Sequence, residues 1–329
     1  MEQQHCLTPK LAVRLAAPHT WLASVYPAVF GELYCLLKGY PLTGTLAITL
    51  FWACVFMQSA VNTLNDYFDF VKGTDTADDN VEVSDAVLVY ENIKPGQALA
   101  LGLGYLVAAG LLALPALVTA GPAPLIIGVI GAIAVWTYSG GILPISYLPI
   151  GEFVSGFVMG GLIPMGIVAA VSSTFDFSVL PAALPFIISI GLIMMTNNTS
   201  DIEKDRQAKR RTLPALLGRT KAVRLYRAAV WIWMALICLL PVWYIGWWGL
   251  ISPAFFIVFA RHTFVNLLQS PLEPQGRVKQ MKGIITANLF GNGAYLLALA
   301  MVLFGGGTLG CAFKTGEGIS CIPADFPDL

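Results

Sequence analysis

QSAVNTLNDYFDFVKGTD, from Gln58 to Asp75, closes an apolar run with Asn62, Asn65, Asp66, Asp69 and Asp75. Asp66 and Asp69 stand three residues apart, so a helix here would carry both on one face. Like charges at that spacing repel and weaken a helix. A cation held between them removes the conflict. The residues before Gln58, LAITLFWACVFM, belong to a segment apolar enough to enter a membrane. Polar and ionisable groups at membrane depth are functional candidates.

The rest of the chain has the same character. It is 57% hydrophobic and 12% charged, with a mean hydropathy of +0.72. Soluble domains carry about 25% charged residues. A span needs about 20 apolar residues, and nine segments qualify: 20–38, 43–68, 97–118, 122–140, 150–171, 179–199, 222–240, 243–262 and 283–305. The expected fold is all-α and polytopic, a bundle of nine transmembrane helices around a central apolar cavity, with the aspartate-rich site at its cytoplasmic side. No signal peptide is expected, because the first 20 residues lack an apolar core with a cleavage site. Residues 1–19 form an N-terminal segment, 20–305 the membrane domain and 306–329 a tail. Nine spans place 17 of the 19 Lys and Arg residues on one side. That side is the cytoplasmic one by the positive-inside rule. The N-terminus is then cytoplasmic in a multi-pass protein of the cell membrane, and the tail is outside. The net charge of zero gives no sign of a nucleic-acid partner. Cys311 and Cys321 in that tail are a candidate disulfide, since bridges persist outside the cytoplasm.

The carboxylates are unevenly placed. Eleven of the 19 lie in two short regions, one from Asp66 to Glu91 and one from Asp201 to Asp205. The second reads NNTSDIEKDRQAKRRTLPALLGR from Asn197. Asp201 and Asp205 are four apart and share a helical face. Arg206, Lys209, Arg210 and Arg211 follow at once. Hard oxygen donors of this kind suit Mg²⁺, which takes one or two carboxylates plus substrate phosphates. Two such faces could hold two Mg²⁺ around one diphosphate, with Asn62, Asn65, Asn197 and Asn198 as neutral oxygen donors. Lys72 and Lys94 are further cations nearby. Asp78, Asp79, Glu82 and Asp85 read as solvated loop residues. An anionic head with a long apolar tail fits both environments, and polyprenyl diphosphate is such a molecule.

The motifs QxxxNxxNDYxDxxxGxD (Gln58 to Asp75) and NNxxDxxxDxxxxxRTLPxLLG (Asn197 to Gly218) resemble the two aspartate-rich motifs of the UbiA-type intramembrane prenyltransferases. Gly73 and Asp75, with TYSGG at 137–141 and the pair Gly151 and Glu152, are most similar to the branch acting on 1,4-dihydroxy-2-naphthoate in menaquinone synthesis. The resemblance implies a Mg²⁺-dependent transfer of a polyprenyl group to an aromatic acceptor. It assigns Asn65, Asp66, Asp69 and Asp75 to one metal site, Asp201 and Asp205 to the other. It makes Lys72, Arg210 and Arg211 diphosphate contacts, and Tyr138 the tyrosine near the reacting carbon.

Three positions depart from that family pattern. Ser200 stands where an Arg is usual, Lys209 where a Gly is usual, and Val87 where the loop after the first motif carries an Arg. Lys209, four residues past Asp205, is the expected substitute cation if the helix continues that far. Other acceptors of the superfamily remain open: a hydroxybenzoate, homogentisate, haem or a glycerol phosphate lipid. A divalent-cation transporter would need polar residues through the whole bilayer, and helices 2 and 6 have few on their far halves. A CDP-alcohol phosphotransferase would need a DGxxAR motif, which the sequence lacks.

Overall fold

The computed structural model describes residues 6–73, 87–91 and 93–305. Asp75, the loop carboxylates 78–85 and the tail with Cys311 and Cys321 lie outside the described residues. The described chain folds as helices joined by short turns. Helix α1 (Pro9–Leu15) starts at Thr8, whose hydroxyl accepts from the Leu11 N–H. It runs through a turn of 3₁₀ helix into α2 (Leu22–Leu37), bent by 64°. Helix α3 (Gly44–Lys72) has 29 residues, about 43 Å at 1.5 Å per residue. It contains Asn62 to Asp69 in full, so the helical spacing of the first motif is real. Gly73, at φ 65°, ends it by donating to the Phe70 carbonyl.

A short helix α4 (Val87–Glu91) precedes α5 (Pro95–Thr119) and α6 (Pro122–Ser139). Helix α7 (Gly151–Ser172) holds one π turn, Val158–Leu162. It lies so close to α8 (Val179–Ser200) that a Cβ on Gly160 would sit 2.4 Å from the Ile187 nitrogen. Small residues at such crossings let membrane helices approach. Two further short helices, α9 (Ile202–Gln207) and α10 (Leu213–Leu217), carry the second motif. Then come α11 (Arg219–Ile245), α12 (residues 251–269) and α13 (Arg277–Phe304).

By length and composition, seven helices among the described residues could cross a membrane, or eight if the bent 9–37 pair counts as one. The difference from nine lies largely in residues 219–269, which count as a single stretch of 51 residues. That stretch doubles back. Ser252 Oγ donates to the Ile237 carbonyl at 2.8 Å, and the Phe264 ring lies 4.5 Å from that of Trp233. The reversal is at Gly246 to Gly249, where a Cβ on Gly249 would sit 2.3 Å from the Pro241 carbonyl carbon.

Two apolar cores hold the bundle. One is centred on Phe30, Phe186 and Tyr295, with ring separations of 4.9 to 5.9 Å. The other is centred on Trp233, Tyr226 and Phe264. A closed polar network ties α8, α11 and α13 together: Asn292 accepts from Trp233 Nε1 at 2.9 Å and donates to Ser189 Oγ at 2.8 Å and to Asn288 Oδ1 at 3.1 Å. Interhelical hydrogen bonds of this kind are worth roughly 0.6 kcal/mol each in membranes. The C-terminal ends of α3, α6 and α8 and the N-terminal ends of α7 and α13 converge at one end of the bundle, through the contacts described next.

Candidate active site

A cavity of about 1130 Å³ runs through the bundle. Leu50 and Asp69 both line it, 19 residues apart on α3 and so about 28 Å apart along its axis. Its walls are apolar over most of that length, with Met57, Leu106, Ile127, Val135, Leu162 and Ile167 among them. Its mouth is polar. Asn62, Asn65, Asp66 and Asp69 line it from α3, Asn197 and Asp201 from the end of α8, and Lys204, Arg210 and Arg277 beside them. Tyr138 lines the same space from α6.

The α3 carboxylates accept hydrogen bonds from neutral donors, and the charges of Lys72 and Arg210 act on Asp69 as well. Asp66 Oδ2 accepts from the Val87 N–H at 2.9 Å and Oδ1 from the Leu88 N–H at 3.5 Å. Asp66 thus caps α4. Val87 and Leu88 themselves are buried against Leu15, Ile93 and Ala98. Asp69 accepts from Asn65 Nδ2 at 3.0 Å, and Ser139 donates to Asn65 Oδ1 at 2.5 Å. Asn62 is braced from its other side, donating to the Ala16 carbonyl and to Thr20, each at 2.9 Å. The bend after α1 therefore rests on the first motif.

The second motif is held by guanidinium groups. Arg277 Nε donates to Asp201 Oδ2 at 3.0 Å, and its Nη2 donates to Asn197 Oδ1 at 2.6 Å. Arg210 Nε lies 3.4 Å from Asp205 Oδ1, and Thr212 donates to Asp205 Oδ2 at 2.8 Å. Asp205 is 2% exposed and does not line the cavity. Burial pushes its carboxyl up to about 6, with Arg210 and Thr212 pulling the other way. It stands behind Arg210 and fixes it. The Tyr147 ring, from the 140–150 connection, has the Arg210 guanidinium at 5.0 Å and the Lys72 ammonium at 5.2 Å from its centroid, both within cation–π range.

The remaining expected residues lie around this mouth rather than in it. Lys72 donates to the Ser139 carbonyl at 2.7 Å. Asn198 is buried and donates to Glu152 Oε1 at 2.8 Å. The Arg211 side chain is exposed. Helix α9 stops at Gln207, so Lys209 is not on the Asp205 face. Lys209 is exposed at φ 56°, with its N–H on the Arg206 carbonyl and the next N–H on the Asp205 carbonyl. This is the left-handed helix stop at which glycine is favoured, and it accounts for the Gly usual there in the resembling family. Tyr138 carries its hydroxyl buried beside Ser155 without a well-formed hydrogen bond.

Arg277, Thr212 and Ser139 escaped the sequence reading. Arg277 stands 76 residues beyond Asp201 and had counted only toward the charge asymmetry. Nothing in its local sequence marks it as a partner of that aspartate. Among the described residues no three of His, Cys, Asp and Glu converge as an all-protein metal cage. Mg²⁺ does not ask for one: it completes its octahedron with phosphates and water. Asp66, Asp69 and Asn65, facing Asp201 and Asn197 across the cavity mouth, are hard oxygen donors of the right type. A carboxylate oxygen that accepts one N–H keeps a second lone pair, so the donor set fits Mg²⁺.

The 1,4-dihydroxy-2-naphthoate octaprenyltransferase of Bacillus subtilis (strain 168) is 28% identical to this chain over 297 residues, which is 88% of this chain and 91% of that protein. The UbiA prenyltransferase domain-containing protein 1 of Danio rerio is 30% identical over 254 residues, 74% of this chain and 70% of that protein. A UbiA homolog from Archaeoglobus fulgidus, solved bound to GPP and Mg²⁺, shares the fold with a TM-score of 0.62 at 19% identity, over 89% of this chain and all of that one. Residues 24–283 match the UbiA prenyltransferase family; this chain, a multi-pass membrane prenyltransferase, belongs to it.

Proposed function

We propose that the protein transfers a polyprenyl group from a polyprenyl diphosphate to an aromatic acceptor, with 1,4-dihydroxy-2-naphthoate of menaquinone biosynthesis as the first candidate. One observation carries this reading: a single cavity joins a mouth rich in carboxylates, amides and guanidinium groups to a long apolar interior. The diphosphate belongs at the mouth and the tail in the interior. The relative from Bacillus subtilis bears the naphthoate name, and the solved homolog from Archaeoglobus fulgidus carries a prenyl diphosphate with Mg²⁺. The superfamily acceptors named above are the competing outcomes.

Bound divalent metal, with two ions proposed, neutralises the diphosphate and makes it a better leaving group. Asn65, Asp66 and Asp69 on one side and Asn197 and Asp201 on the other would hold it. Arg210, held by Tyr147 and by Asp205, which Thr212 in turn fixes, presents a positive charge to the oxygens that gain charge as the C–O bond breaks. Asp205 acts through Arg210. Tyr138, which lines the same cavity, would steady the positive charge that develops on the allylic carbon. The apolar walls keep water from that carbon. Glu152 and Asn198 set α7 against α8 behind Tyr138. Counting 219–245 and 251–269 as two arms, and the bent 9–37 pair as one, brings the spans to nine. With nine spans, the Lys and Arg asymmetry supports a cytoplasmic mouth and N-terminus.

The test is mass spectrometry of products from the purified protein with Mg²⁺, prenyl diphosphates of graded length and a mixed set of acceptors. Prenylated, decarboxylated naphthoate is the expected product. Exclusive prenylation of a hydroxybenzoate or of a glycerol phosphate would move the assignment to that acceptor. No transfer from any donor would end it.

A further inference from the structure

We propose that Arg277 is a diphosphate-binding residue of the second half-site, supplying from α13 the positive charge that Ser200 does not. This rests on the reading of the cavity mouth as a prenyl diphosphate site. Arg277 is the first residue of α13, and its guanidinium lines the cavity with a side chain only 14% exposed. It spans Asp201 and Asn197 with two hydrogen bonds, through Nε at 3.0 Å and Nη2 at 2.6 Å. Nη1 is left over, since a guanidinium has five donors. The planar fork is suited to phosphate oxygens.

Position 200 explains why the charge comes from another helix. The Ser200 side chain is fully buried at the α8–α13 contact, its single hydroxyl proton shared between the Thr196 carbonyl at 2.9 Å and Gln280 Oε1 at 2.8 Å. Gln280 lies three residues past Arg277 on the same face of α13. Ser200 does not line the cavity, and a long side chain there would have to displace Gln280, so the charge beside Asp201 comes from α13. Lys209 does not supply it, being exposed on a helix stop beyond α9.

The experiment is calorimetric titration of inorganic pyrophosphate into the purified full chain in lipid nanodiscs, with and without Mg²⁺. Arg277→Gln should weaken binding roughly tenfold to a hundredfold, the usual worth of a hydrogen bond to a charged group. Arg277→Lys keeps the charge beside Asp201 but loses the fork, and should weaken binding severalfold while the unfolding midpoint holds. In turnover the donor KM should rise and the acceptor KM stay. If Arg277→Gln fails to fold, the Lys variant decides. Wild-type pyrophosphate affinity in a folded Gln or Lys variant overturns the proposal and leaves the prenyl diphosphate reading standing, because Arg277 is then a strut that neutralises Asp201. No pyrophosphate binding by the wild type, with or without Mg²⁺, overturns both.

Discussion

The two aspartate pairs look alike in the sequence but accept their hydrogen bonds and ion pairs from different partners. In α3, Asp66 is bonded to backbone N–H groups of α4 and Asp69 to the amide of Asn65. At the end of α8, Asp201 is bonded to Arg277 and Asp205 is paired with Arg210. The first pair accepts hydrogen bonds from neutral donors, two of them from the segment that follows it in the chain, while the charges of Lys72 and Arg210 also act on Asp69. The second is anchored by full positive charges, one of them from the last helix. Asp66 and Asp69 bring negative charge to the mouth for an incoming cation, with Lys72 and Arg210 near enough to Asp69 to act on it. A carboxylate with an arginine partner brings both signs to the mouth, one for a metal and one for a phosphate.

The most severe break is removal of the cation. Chelation with EDTA should abolish transfer and added Mg²⁺ should restore it. Asp69→Ala and Asp201→Ala should each cost a factor of about a hundred to a thousand or more in kcat/KM, the scale of losing one fixed electrostatic contact at a reacting centre. Initial rates at saturating Mg²⁺ check this, and near-normal rates in either variant remove that residue from the site.

The second break separates the two anchors. Asp66→Ala should lower activity and also speed hydrogen exchange at residues 87–91. Losing a helix cap costs about 0.5–2 kcal/mol. Asp201→Ala should leave exchange at 87–91 as it was. Equal protection of 87–91 in both variants would erase the distinction drawn between the pairs.

A milder effect sharpens it. Asp205→Asn should raise the donor KM about tenfold with a smaller change in kcat, because Arg210 loses its charged partner. Thr212→Val should act in the same direction more weakly. An effect on kcat alone would place Asp205 in direct contact with the reacting groups.

The smallest expected effect is a gain. Lys209→Gly should stabilise the protein by roughly 1 kcal/mol, since it relieves a non-glycine residue at φ 56°. Thermal unfolding in detergent reads it. A lower midpoint would mean that the Lys209 side chain contributes more than its backbone costs.

The sequence by itself determined the helical class, the membrane setting, the helical face shared by Asn62 to Asp69, and both aspartate motifs. Those follow from composition and from spacing along one helix, which are local properties. It also marked Tyr138 and Arg210, which line the cavity. Only the tertiary structure decided what each carboxylate is bonded to. The donors on Asp66 are the N–H groups of a valine and a leucine, and every non-proline residue has an N–H, so no residue type advertises them. Arg277 is a basic residue among others at a helix start, and it becomes the partner of Asp201 only because α13 crosses the end of α8. Lys209 shows the converse. Its spacing from Asp205 is right for a shared face, but that holds only while the helix lasts, and α9 stops two residues earlier. The doubling back of 219–269 is decided in the same way, by contacts between Ile237 and Ser252 and between Trp233 and Phe264. Periodicity reports which face of a helix is polar. What meets that face depends on where the other helices pass.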